Sequence, residues 1–306
     1  MRTDSGIFIT GGTGLLGLHW AQACKTRWQV TVATHRRVHV PSAITARPVD
    51  LANPAAFDEA LRASNADLVV HTAGLTSVET CEAEPERAKY ENTFLAEQVA
   101  QAAARRGARL IHISTDHLFS GDAELYSETD PVEPINVYAR TKAAAEELVL
   151  KACPEALVLR TNFYGWGPSY RPSFSDWILK SLAAGESIPL FGDVHYTPVL
   201  IAPLIKAALR LVEKKASGIV HATGDDVLTK LAFGQAVARQ FGYSDLSIKS
   251  SRLSAQKNLV RRPVVMALSN ARLRRLLGHG MGTLTDQIEQ LKAEAEQPPI
   301  EEIRAL

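Results

Sequence analysis

The sequence predicts an α/β fold: a Rossmann-type, doubly wound, mostly parallel sheet, with a smaller, discontinuous C-terminal substrate lobe over its carboxyl edge. Three observations carry this reading. Short apolar runs alternate with longer helix-like stretches through the first half of the chain. A glycine-rich turn follows the first apolar run and opens the first helical stretch. From about residue 165 the alternation gives way to loops and isolated strand candidates. Strand and helix in regular alternation imply parallel strands joined by crossover helices, and strands covered on both faces read as continuous apolar runs.

Taken in order, strands are expected at IFIT (7–10), VTVAT (30–34), DLVVHTA (67–73), ARLIHIS (108–114), ALVLRT (156–161) and GIVHAT (218–223), with PVD (48–50) adding a short strand between the second and fourth. Helices are expected over 15–25, 54–63 and 93–107, where apolar residues recur at helical spacing. Asn53 before Pro54 has the form of a helix cap, and Gly107 that of a terminator. GWGPSYRPSFSD (165–176) reads as a loop entering a different kind of structure, followed by helices over 174–186 and 202–215. The tail AEAEQPPIEE (293–302) is expected to be a fraying, solvated helix end. The division that results is a nucleotide-binding domain over 1–165, with a strand and helix from about 198–224, and a substrate lobe from 166–197 and 225–306.

With 306 residues the chain can bury a full core. Its 34 basic and 33 acidic residues leave a net charge of +1, which excludes a broad attraction to nucleic acid or anionic membrane and favours a small-molecule partner. Cys24, Cys81 and Cys153 are far apart and lack metal-ligand spacing, so no disulfide framework or zinc site is expected, and a reducing compartment fits. MRTDSG leads directly into IFITGG, and no run of about twenty apolar residues follows. The expectation is a soluble cytoplasmic protein.

IFITGGTGLLG (7–17) places Gly11, Gly14 and Gly17 at three-residue spacing between a strand and a helix. Gly11 permits the tight turn, Gly14 the approach of a pyrophosphate to the backbone, and Gly17 close packing of helix on strand, while the helix N-terminus favours anionic phosphates. Thr13, Leu15 and Leu16 complete this dinucleotide-binding turn. The second strand runs into His35, Arg36 and Arg37, which favours NADP over NAD, because arginine neutralises a ribose phosphate that an acidic residue would repel; NAD stays open. Asp50, with Leu51 beside it, is placed to accept from an adenine amine or to make a turn.

In VYARTK (137–142), Tyr138 and Lys142 fall on one helical face a turn apart. An ammonium near a phenol favours the phenolate, so the tyrosine's pKa is expected to fall from about 10 toward the range useful for proton transfer. The strand RLIHIST brings the Thr115 hydroxyl to its carboxyl end, the edge expected to border a nicotinamide.

At this point the chain resembles the short-chain dehydrogenase/reductases, in their extended, sugar-nucleotide-modifying branch. The resemblance rests on TGGTGLLG (10–17), VVHTAG (69–74), Asn92 in YENTFLAEQ, HISTDHLFSG (112–121), DPVEPINVYARTK (130–142) and LRTNFYGWG (159–167), and covers roughly the first 170 residues. STDHLFSG and LRTNFYGWG look most like the dTDP-4-dehydrorhamnose reductases and their relatives, and RRPVVMALSNARLRRLLG (261–278) is similar to the tail of that group. The resemblance implies that Tyr138 protonates a carbonyl oxygen as hydride arrives at carbon. Lys142 would hold the ribose hydroxyls, Thr115 would orient the carbonyl, and Asn92 would support a proton relay through ordered water. It implies Thr72, Ala73 and Gly74 along the cofactor and Asn162 at the nicotinamide or substrate.

Related dehydratases carry an acidic pair after the active-site threonine, whereas Asp116 is followed here by His117, which favours simple reduction. The resulting expectation is an NADPH-dependent reductase of a 4-keto-6-deoxy nucleotide sugar. An epimerase, or a cofactor-binding regulatory subunit of the kind that partners methionine adenosyltransferase, stays open; retention of Thr115, Tyr138 and Lys142 weighs against the latter. Candidate substrate contacts are Thr76, Asp116, His117, Trp166, Tyr170, Arg171, His195, Tyr196 and Arg262; Trp166 and Tyr196 fit core packing equally well, and Arg171 and Arg262 a surface charge or salt bridge. A homodimer is compatible with the sequence, and no metal site is expected.

Overall fold

The computed structural model describes residues 6–35 and 39–306. Its centre is a seven-stranded sheet of β1 (Gly6–Thr10), β2 (Gln29–Thr34), β3 (Thr45–Pro48), β4 (Ala66–His71), β5 (Arg109–Ile113), β6 (Leu157–Arg160) and β11 (Gly218–His221). The order is β11-β6-β5-β4-β1-β2-β3 with every neighbour parallel. The order in which strands are added reverses between β1 and β4, which opens the crevice in which α/β folds of this kind place ligands. The short third strand comes a little earlier than expected: it pairs with β2 from Thr45 to Pro48, and the Val49 amide adds one more bond to the Thr34 carbonyl.

Helices cover both faces. Leu15–Cys24 and Ile201–Glu213 pack on one side through Trp20, Ala21, Leu204, Ala208 and Leu211, against Ile7, Ile9, Val32 and Val70 of the strands. On the other, Pro54–Ala63, Leu95–Arg106 and Val137–Ala152 bury Phe57, Leu61, Val99, Ala103 and Val149 against Phe8, Val69 and Val158. The caps act as the sequence predicts. Asn53 accepts from the Ala56 amide, and Gly107 ends its helix in the left-handed region, at φ 66°. That helix is preceded by a π-helical turn, Tyr90–Phe94, which no propensity signals.

Beyond β6 the strands are short. They are β7 (Phe163–Tyr164), β8 (Ile188–Phe191), β9 (His195–Tyr196), β10 (Val199–Leu200), β12 (Leu228–Thr229), β13 (Ile248–Ser251) and β14 (Val265–Met266). β7 pairs with β10, β8 with β13, and β9 lies between β12 and β14. They frame a second core of Tyr164, Trp166, Ile178, Leu190, Tyr196, Phe233 and Leu291. The tail departs from expectation. A separate helix, Pro298–Arg304, buries Ile300 and Ile303, and Glu302 accepts from Gln22 and Lys25 of the first helix and from the Ser42 amide. Two isoleucines on one face and a carboxylate with three donors dock what composition alone marks as solvated. Cys24, Cys81 and Cys153 are buried and unbridged, and among the described residues no helix is long and apolar enough to cross a membrane.

Candidate active site

The glycine turn forms a tight cradle. Gly11 has φ +68°, and a Cβ on it would lie 2.7 Å from the Ala73 amide nitrogen and the Thr72 hydroxyl. A Cβ on Gly17 would collide with the Gly11 carbonyl oxygen. Gly12, which the triplet spacing passes over, is equally constrained: its Cβ would strike the Val32 side chain, so the turn presses against β2. Gly14 opens the helix with no side-chain cap and no acidic residue in the first turn, leaving an uncapped N-terminus of the kind that receives anions. These features fit a dinucleotide diphosphate. Leu16 is buried in the core and Leu15 packs against it, so only their backbones face the turn.

A cleft of about 510 Å³ runs from this cradle across the end of β2, lined by Thr13, Thr34, His35, Asp50, Leu51, Ala73 and Gly74. Asp50 accepts from the Ala52 amide at 2.9 Å, the turn role, while still lining the cleft. Arg36 and Arg37 lie outside the described residues. Sequence reading missed the opposite wall, Arg87, Tyr90, Glu91 and Leu95. Nothing local marks Arg87, Tyr90 and Glu91, since the helical segment that carries them reaches the cleft through packing against Val137–Ala152 and Leu95–Arg106.

The second half of the site forms where β5 ends. Asn136 caps the helix Val137–Ala152, accepting from the Ala139 amide at 2.8 Å, and this fixes the first turn that presents Tyr138. The phenol meets the Thr115 hydroxyl. The expected fall in its pKa does not occur. Burial pushes Tyr138 up to about 12, with the Thr115 hydrogen bond opposing and the Asp116 charge reinforcing the rise. Lys142 does not counter this: its Nζ donates to the Ile113 carbonyl at 2.7 Å, and burial draws it down to about 8, against the Glu146 charge. Desolvation of the phenol outweighs helical proximity, so the tyrosine holds its proton at neutral pH.

Asn92 sits in the π-helical turn, buried, where a solvent-facing or capping role is the bland expectation for a helical asparagine. Its Oδ1 accepts from the Leu75 amide at 2.7 Å, and its Nδ2 donates to the Leu75 carbonyl and the Thr141 hydroxyl. It thus ties the loop after β4, including Gly74, to the helix that carries Tyr138. Asp116 is fully buried and accepts from Asn162 Nδ2 at 2.7 Å, so Asn162 is turned toward that carboxylate. The His117 ring stands edge-on to Tyr138 with centroids 5.6 Å apart, and burial lowers its pKa, with Asp116 opposing.

The remaining candidates separate. Arg171 donates to Thr76 at 2.9 Å, Arg262 pairs with Glu79, and the Tyr170 hydroxyl donates to the Thr13 carbonyl at 2.8 Å, so all three reach across from the second core to the nucleotide side. Tyr196 is buried with an unpartnered hydroxyl. His195 pairs in β9 and its amide donates to Val264. Trp166 is buried in the second core, its indole N–H on the Leu291 carbonyl at 2.8 Å. That ring is committed to packing, which sequence reading had left level with a substrate role.

A family model described as RmlD substrate binding domain matches residues 5–296. A probable low-salt glycan biosynthesis reductase of Haloferax volcanii is 30% identical over 290 residues, covering 94% of this chain and 97% of its own. A dTDP-4-dehydrorhamnose reductase of Mycobacterium tuberculosis is 32% identical over 243 residues, 77% of this chain and 75% of its own. Among solved structures, a dTDP-4-dehydrorhamnose reductase from Bacillus anthracis in complex with NADP superposes with a TM-score of 0.83 at 22% identity, over 95% of this chain and 99% of that one, a likeness of fold.

Proposed function

The chain belongs to the RmlD substrate binding domain family, and on that premise we propose that it is an NADPH-dependent ketoreductase acting on a nucleotide-linked 4-keto-6-deoxy sugar. The observation that carries the reading is the Tyr138 phenol set against the Thr115 hydroxyl at the end of β5, with β4 alone between that strand and the glycine cradle of β1. In this reading residues 1–165 and 198–224 hold the dinucleotide, and 166–197 and 225–306 the sugar. A reduced nicotinamide dinucleotide, held by the backbone of Gly11 to Gly17, would supply hydride to the keto carbon. Thr115 holds the ketone oxygen by a hydrogen bond, and Tyr138 gives its proton to that oxygen as negative charge develops there. Burial, which pushes the phenol up to about 12, keeps that proton in place at neutral pH. Lys142, fixed by the Ile113 carbonyl, presents its remaining N–H groups to the ribose side and helps the phenolate that is left regain a proton. Arg36 and Arg37 supply the preference for a 2′-phosphate.

Tyr138→Phe tests this directly. It removes one oxygen from a half-buried ring, so kcat should fall by roughly 10²–10⁴-fold while NADPH binding and thermal stability stay within experimental error. A variant that reduces dTDP-linked 4-keto sugars at the wild-type rate would remove Tyr138 as the acid. Replacing Arg36 and Arg37 with alanine should weaken NADPH more than NADH.

A further inference from the structure

Lys230 stands on the second-core side, close enough to Asp116 and His117 for their charges to interact. It begins the helix Lys230–Gln240 after β12, and its Nζ is held over two rings, 3.4 Å from the Tyr196 centroid and 5.2 Å from that of Phe174. Among the described residues no oxygen accepts a hydrogen bond from this ammonium. Its ring partner has the same lack: the Tyr196 hydroxyl is fully buried without a partner, and so is His117 Nδ1. A half-buried ammonium without an acceptor, beside two buried and unpaired polar atoms, carries a free-energy cost that ligand oxygens would relieve. The cluster is joined to the reacting end through Asp116, whose charge acts on Lys230, Tyr196 and Tyr138 alike.

The sign of the charges selects the ligand. Asp116 is negative and Lys230 positive, and burial keeps His117 neutral, so the wall has no net charge. A ligand carboxylate would gain Lys230 but face Asp116 at short range, whereas hydroxyls can accept from the ammonium and donate to the unpaired nitrogen at no charge penalty.

We propose that Lys230, with the Tyr196 hydroxyl, is the sugar-recognition wall of this cleft, its ammonium donating to a ring hydroxyl of a neutral sugar and so turning the 4-keto group toward Thr115 and Tyr138. Lys230 is a positioning and specificity residue and takes no part in proton transfer. The inference rests on the ketoreductase reading and names the side chain that selects a neutral sugar over a charged one.

The test uses Lys230→Met, which keeps the apolar stem, and Lys230→Gln, which keeps an N–H donor and serves if the methionine variant does not fold. Steady-state kinetics are measured with a dTDP-linked 4-keto-6-deoxyhexose and its 2-deoxy and 3-deoxy analogues, alongside NADPH affinity. Lys230→Met should lower kcat/KM for the parent sugar by about ten- to a hundredfold with NADPH affinity unchanged. One deoxy analogue, already weaker with the wild type, should lose nothing further in the variant. An equal loss across the parent and both analogues would mark Lys230 as merely structural, and no loss would remove it from the site. Tighter competition by a nucleotide-linked uronate than by the neutral sugar would overturn the charge argument. Should the wild type turn over no 4-keto sugar, the ketoreductase reading fails separately, and the wall is judged by calorimetric binding of a dTDP-linked 6-deoxyhexose. Weaker binding to Lys230→Met supports it; equal binding, or none to the wild type, sinks it.

Discussion

The seven-stranded sheet and the second core are built by different rules. In the sheet, consecutive segments of chain pair or pack directly, and the strands inside the edge strand β3 are rich in Ile, Val, Leu or Phe and covered on both faces. In the second core, His195 and Tyr196 pair with Thr229 and Leu228 on one side and with Val265 and Met266 on the other, and Ile248 pairs with Ile188. Aromatic rings from distant segments, Tyr164, Phe174, Tyr196 and Phe233, then fill the interior. The sheet puts chemistry at the ends of strands, where local sequence positions it. The second core presents side chains such as Lys230 and Tyr196, whose neighbours are set by long-range assembly.

The charged interior of the sheet offers the largest effect by which to test this contrast. Arg160 on β6 donates three hydrogen bonds to Glu146, all within 3.1 Å, with both side chains buried. Arg160→Ala leaves that carboxylate unpaired and should cost about 3–5 kcal/mol in urea unfolding. The loss should appear in the sheet's hydrogen-exchange protection before that of the second core; simultaneous loss would mean the two unfold as one unit. Gly17→Ala comes next. Its methyl must displace the Gly11 carbonyl, so about 1–3 kcal/mol of stability should be lost together with NADPH binding, and retained binding would show that the cradle can relax.

Acid should separate the regions further. His71 and His221 are held neutral by burial, each down to about 3, and His112 is lowered likewise. All three lie on strands of the main sheet. Because the unfolded chain takes up those protons near pH 6.5, stability falls as pH drops from 6.5 toward 3, by up to about 1.4 kcal/mol per pH unit for each group. Asp176 and Glu294, on the second-core side, are raised by burial, so protonation relieves them in the same range. Hydrogen exchange at pH 4 should therefore show the sheet loosening first, and the reverse order would break the contrast.

The smallest effect lies at the docked tail. Burial alone would raise Glu302, but hydrogen bonds from Lys25, Gln22 and Ser42 outweigh it and bring the carboxyl down to about 2. The stability it adds is present above about pH 4.5 and is lost as pH falls toward 2. The pair with Lys25 is partly exposed, so solvent screening limits the contribution. Glu302→Gln should cost about 1 kcal/mol at neutral pH, read as a small fall in Tm that vanishes in acid.

By itself the sequence determined the parallel sheet, the glycine cradle, the helix caps at Asn53 and Gly107, and the shared helical face of Tyr138 and Lys142. Each is a local matter: apolar period, backbone freedom at glycine, or spacing within one helix. Only the tertiary structure decided what those groups experience. Burial raised the Tyr138 pKa where spacing predicts a fall, gave Asn92 three partners, sent the Trp166 indole into the core, docked the acidic tail and brought Lys230 over Tyr196. Desolvation and long-range pairing depend on which distant segments close over a residue, and no window of neighbouring residues contains that information.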